Sequence, residues 1–100
     1  MSYRLTYAAE QDIREILNHI RFVRKSPQNA KLVATRLKLR FAKLVVTPRI
    51  GHLREELGDE HALVISVTGV LVIYDPWLKP LTILRVIHAA RNLSNIDPRR

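Results

Sequence analysis

The sequence predicts an α+β domain with elements in the order β-α-α-β-β-β, a helical hairpin packed on one face of a small, mainly antiparallel sheet. Three observations carry this: two successive stretches with apolar residues at helical spacing, three later stretches rich in Val, Ile and Leu joined by short turns, and 100 residues that are 47% hydrophobic. That size and content suit one domain spanning residues 1–100, with a core sufficient to fold on its own.

The first strand is read in Tyr3 to Tyr7, "YRLTY", where aromatic or apolar residues alternate with polar ones. From Ala8 the period changes. Ala9, Ile13, Ile16, Leu17, Ile20 and Val23 make the stripe of an amphipathic helix, with Glu10 and Asp12 in its first turn and Arg21, Arg24 and Lys25 in its last. Ser26-Pro27 restarts a helix, Ser26 as N-cap and Pro27 at the first helical position. This second helix is expected to run to about Thr47, where Pro48 stops it, with Ala30, Val33, Ala34, Leu37, Phe41 and Leu44 as its buried stripe. After the polar connection "PRIGHLREELGDEH" come three strands, Ala62 to Val67, Val70 to Asp75 and Leu81 to His88. Thr68-Gly69 is a two-residue hairpin loop, and "PWLKP" turns the second of these strands into the third. Residues 94–100 read as a fraying tail.

Composition narrows the function. The net charge is +8, and between Glu15 and Glu55 there are only basic charges, among them Arg21, Lys31, Arg36, Lys38, Arg40 and Lys43. Such a block favours an acidic partner, either nucleic acid or protein. The absence of cysteine removes disulfides, thiolate metal sites and a cysteine nucleophile. No apolar run approaches a membrane span and the N-terminus lacks signal-peptide order, so a cytoplasmic location is expected. His19, His52 and His61 lack metal-ligand spacing with acidic residues, the glycines are scattered, and Asp59-Glu60-His61 reads as a solvated turn. No cofactor is expected.

Two further features concern binding. Leu32, Leu39 and Val46 recur every seven residues and point away from the buried stripe of the second helix, amid Lys31, Arg36 and Lys43. Phe22 is likewise off the apolar face of the first helix. Three apolar residues in line on a basic face suggest a docking groove, the alternative being packing against the sheet edge or the connecting loop. Ala62 to Val67 and Val70 to Ile73 are also apolar on both faces, so one face of the sheet is expected to be exposed and adhesive unless a partner or the tail covers it. In the final strand, Arg85 alternates with Ile83 and Ile87, and a cation on that face is expected to find a carboxylate or a backbone oxygen, with Glu55 or Glu56 as a candidate.

The opening "YRLTYAAEQDIREILNHI", the connection Leu53-Arg54-Glu55-Glu56-Leu57, the strand Val72-Ile73-Tyr74 and the end Arg85-Val86-Ile87-His88-x-x-Arg91 together resemble the ParE/RelE superfamily of type II toxin–antitoxin toxins. The likeness covers Tyr3 to Leu93. It implies a RelE/ParE-like fold and a toxin neutralised by a cognate acidic antitoxin in a hetero-oligomer. On this chain the antitoxin is expected on Phe22, Leu32, Arg36, Leu39, Lys43 and Val46.

Two activities divide the superfamily: ParE-like members inhibit DNA gyrase, and RelE-like members cleave mRNA on the ribosome. Cleavage needs a base, cationic phosphate donors and an acid. Arg54, Arg85, His88 and Arg91 are the candidates here. Yet no tyrosine or phenylalanine follows Tyr74, and Ala89 stands where RelE-like enzymes carry an aromatic. The expectation is therefore a ParE-type gyrase inhibitor acting by binding, with Arg85, His88 and Arg91 as target contacts. A ribosome-dependent mRNA endonuclease is the alternative, and a basic nucleic-acid-binding module the second.

Overall fold

A short strand, β1 (Tyr3–Leu5), leads directly into α1 (Tyr7–Asn18) in a computed structural model that describes residues 2–99. Thr6 makes the junction. Its hydroxyl accepts the Ala9 N–H at 3.0 Å, capping the helix, and donates to the Leu84 carbonyl at 2.8 Å. The helical stripe does not continue to Val23 as the spacing predicts. Residues His19–Val23 form a π-helical turn, whose extra residue per turn rotates the register and leaves both Phe22 and Val23 exposed.

The second helix, α2 (Pro27–Val46), starts and stops where Pro27 and Pro48 dictate. Ser26 contributes the carbonyl that accepts Ala30 N–H, but its side chain caps nothing. Ala30, Leu37, Phe41 and Leu44 are buried, as their spacing predicts. Each fully buried leucine of this kind contributes roughly 1.5–3 kcal/mol.

The rest of the chain builds the sheet: β2 (His52–Leu53), β3 (Leu63–Val67), β4 (Val70–Asp75) and β5 (Leu81–His88). The order is β1-β5-β4-β3-β2, antiparallel throughout except that β1 runs parallel to β5. The helical hairpin covers one face, so the fold is α+β and compatible with the RelE/ParE-like class. Strand β2 is a difference from the sequence reading. Two residues pairing with Val64 and Leu63 are too few to leave a periodic signal. The β3–β4 hairpin has positive φ at both Thr68 (44°) and Gly69 (88°), the conformation of a tight two-residue turn.

A β-bulge interrupts the β4–β5 ladder, where Tyr74 faces Ile83 and Ile73 faces Arg85. It shifts the alternation of β5. Ile83 and Val86 join the core under the helices, whereas Leu84 and Ile87 join the core on the opposite face. The expected sharing of one face by Ile83, Arg85 and Ile87 is thereby broken.

The second face is not left bare. A short 3-10 turn, Glu55–Leu57, and the C-terminal segment cover it, with Leu57, Leu93 and Ile96 packed on Val64, Leu71 and Ile73. Of the covers the sequence reading allowed for this face, the tail is the one present, joined by Leu57 of the 3-10 turn. Residues 94–99, read as fraying, include buried Ile96 and Pro98 and an Arg99 fixed by two aspartates. Arg100 lies outside the described residues. No described helix is long and apolar enough to cross a membrane.

Candidate functional site

The end of β5 is organised by a residue that sequence reading assigned to the helix dipole. Asp12 on α1 accepts from Arg85 Nε at 2.6 Å and Nη2 at 3.0 Å, and also from the Val86 N–H at 3.0 Å. One carboxylate thus pairs the cation and satisfies the edge of β5 beyond the end of β1. The Asp12 hydrogen bonds raise the Arg85 pKa further above its ordinary value. Glu55 and Glu56 are not its partners. Glu56 pairs instead with Arg54 at 3.2 Å, next to β2. Arg54 follows β2 and Arg85 lies on β5, with β3 and β4 between those strands. The four candidates for strand scission are therefore not assembled into one cluster.

His88 and Arg91 do come together. They lie on the rim of a cleft of about 440 Å³ between the end of α1, the Thr68-Gly69 turn and the end of β5. Its floor is apolar, from Ile16, Ile20, Val33, Val70 and Val86, while Arg24 adds a cation to the wall, His19 an imidazole, and Asp12 and Glu15 carboxylates. His88 closes the end of the strand. Its Nδ1 accepts the Ala90 N–H at 3.2 Å, and its carbonyl accepts the Arg91 N–H at 3.0 Å. Arg85 is withdrawn from this rim by Asp12. Among the described residues no group of three or more His, Asp or Glu side chains is arranged to hold a metal ion.

The outer face of α2 is open. Leu32, Leu39 and Val46 are all exposed, Leu39 at 67%. They span about 21 Å of helix. Arg36 and Lys43 flank them and, with Leu39, line a hollow of about 430 Å³ that reaches Val67 and Thr68. Lys31 and Lys38 are exposed on the other flank, so the apolar line runs between two basic rows. Phe22, 66% exposed with Arg21 stacked at 5.8 Å, lies on the connection leading into α2.

A third exposed region was missed by sequence reading, which took "PWLKP" only as a turn. Trp77 is exposed beside Leu78, with Arg49 over its ring at 5.2 Å and His61 against it at 5.6 Å. Asp75, buried to 3% exposure, accepts the Trp77 N–H and meets Arg99 at 2.7 Å. Asp59 takes the same guanidinium in two hydrogen bonds, which hold its carboxyl below the ordinary aspartate range. The solvated turn expected at Asp59-Glu60-His61 is thus a clasp for the tail and a support for Trp77. Only the singular tryptophan amid prolines could have signalled it.

The structure is thus a small α+β domain with open basic and apolar surfaces. The family described as ParE toxin of type II toxin-antitoxin system, parDE, matches residues 3–93, and the chain belongs to that family. It is a toxin of a type II toxin–antitoxin system, and membership implies a cognate antitoxin. Comparison with curated proteins yields no match.

Proposed function

We propose that this toxin inhibits DNA gyrase by binding it in the cytoplasm, and that an acidic antitoxin neutralises it by lying along α2. The observation that carries the first part, beside membership of the ParE family, is the dispersal of the would-be nuclease groups. Arg85 pairs with Asp12 and Arg54 with Glu56, so of the four candidates only His88 and Arg91 stand on the cleft. There the carboxylates of Asp12 and Glu15 offset Arg24 rather than leaving a cationic cluster of the kind phosphoryl chemistry needs. With the apolar floor beneath them, these two residues suit recognition of a protein side chain and its carboxylate. They are the target contacts of this reading, with Arg85 as the residue that positions the strand end.

The exposed line of Leu32, Leu39 and Val46 between basic rows supports the second part. An amphipathic acidic helix would place apolar anchors on the line and carboxylates on Arg36 and Lys43, with Phe22 meeting its end. Purified toxin added to a gyrase supercoiling reaction tests the proposal. Inhibition relieved by stoichiometric antitoxin supports it, and undisturbed supercoiling at saturating toxin overturns it.

A further inference from the structure

Trp77 has no part in either core, and it is the single tryptophan of the chain. It is 45% exposed and next to Leu78, which is exposed as well. A lone exposed apolar side chain is ordinary, but Trp77 and Leu78 exposed in succession in one turn form an apolar patch of the kind that marks contact surfaces. The loop holding it is also more firmly built than a plain connection requires. Asp75 fixes the Trp77 N–H at 2.9 Å and is itself fixed by Arg99, while the Thr82 hydroxyl donates to the Pro80 carbonyl at 3.0 Å on the other side. Arg49 and His61 pack on the ring from two other segments. The ring is therefore presented in one orientation, which lowers the ordering cost of binding.

Leu78, the residue after Trp77, lines a hollow of about 400 Å³ together with Val45, Pro48, Pro76 and Lys79. An apolar side chain from a partner fits such a hollow, with Lys79 on its rim to meet a carboxylate. The nearby aspartates do not oppose an acidic partner, because Asp59 and Asp75 both bind Arg99. The cations left facing outward are Arg49 and Lys79. An exposed Trp with Arg over it, next to a leucine that lines an apolar hollow, is the composition of a protein-binding hot spot. Nucleic acid suits it less, since Arg49 already covers a face of the indole on which a base would stack.

We infer that Trp77 and Arg49, with Leu78 and the hollow that Leu78 lines, form a second docking surface that seats an acidic apolar patch of the toxin's target protein. It lies at the opposite end of β5 from His88, roughly 23 Å away along the strand. The inference rests on the gyrase reading for its probe. Both ends of the sheet then grip the target, while the antitoxin line occupies α2 between them.

The test uses Trp77→Ala and Leu78→Glu in the full chain, with cognate antitoxin binding as the control for folding. Each variant should bind antitoxin within about twofold of wild type and lose at least about tenfold in potency against gyrase supercoiling. Fluorotryptophan incorporated at the single tryptophan gives a direct readout, since its fluorine resonance should shift or broaden with gyrase but not with duplex DNA alone. Variants that inhibit as wild type does overturn this inference and leave the gyrase reading standing. A resonance that moves with DNA alone makes the loop a nucleic-acid contact and overturns it too. Wild-type toxin without effect on supercoiling removes the gyrase reading and this inference with it.

Discussion

Asp12 and Arg85 are 73 positions apart in sequence and meet through two hydrogen bonds, while the same carboxylate accepts the backbone N–H of Val86. The pair joins α1 to the bulged part of β5 and fixes the strand end from which His88 projects. Both side chains are largely buried. Removing the carboxylate strands a cation and an N–H together, so Asp12→Ala should destabilise the protein by about 2–4 kcal/mol. Urea unfolding of Asp12→Ala, Arg85→Ala and the double variant checks this. The double variant should lose clearly less than the sum of the singles, because the interaction is shared.

The tail is a structural part of the sheet through Arg99. Arg99→Ala leaves buried Asp75 without its ion partner and should cost roughly 2 kcal/mol, less than a fully buried pair because Arg99 is 38% exposed. The pH dependence follows from Asp59, whose carboxyl is held below 3.8 chiefly by the Arg99 hydrogen bonds. A depressed folded-state pKa adds stability above 3.8 that disappears as pH falls through the lower folded value. The stability gap between wild type and Arg99→Ala should therefore be constant near neutrality and narrow in acid below that point. A gap that widens in acid contradicts the clasp.

Part of the fold could be read from sequence because burial imposed a period. The α2 stripe at Ala30, Leu37, Phe41 and Leu44 and the limits of β3, β4 and β5 emerged within a residue or so. Where the backbone departs from ideal geometry the period misleads. The π-helical turn moved Val23 outward, and the bulge separated Ile83 from Ile87. Pairings between distant segments were equally hidden, since Asp12 looked like a helix-dipole acid and Arg99 like a loose terminus. Of the candidate site, the exposed line Leu32–Leu39–Val46 was legible from helix geometry, whereas the Trp77 platform depends on Arg49 and His61 converging from elsewhere.

Gly51 and Tyr74 set the geometry of the connection after α2. The Tyr74 hydroxyl donates to the Pro48 carbonyl at 2.8 Å and accepts the Gly51 N–H at 2.9 Å, and burial pushes the phenol pKa up. A Cβ at position 51 would lie 2.6 Å from that hydroxyl and 2.9 Å from the ring. Gly51→Ala should thus cost about 1–3 kcal/mol by forcing the loop off the ring, and Tyr74→Phe about 1–2 kcal/mol by unpairing the Pro48 carbonyl and the Gly51 N–H. Thermal denaturation of both variants measures this. In the double variant the two losses should not add, because both act on the same contact.

On α2, Leu39→Asp changes an exposed position and should leave folding within about 0.5 kcal/mol of wild type. Against the antitoxin the effect should be large. An acidic group placed on the apolar line loses an anchor and repels carboxylates, so affinity should fall at least about thirtyfold. Calorimetric titration with cognate antitoxin measures it. Unchanged affinity would remove α2 from the antitoxin interface.

Whether the toxin acts by holding a target or by cutting a strand is decided by assaying both in parallel. Purified toxin is added to a gyrase supercoiling reaction and to a cell-free translation reaction followed by primer extension on the mRNA. Loss of supercoiling activity with full-length mRNA is the predicted result. Codon-linked cuts in the mRNA, with gyrase unaffected, would contradict it.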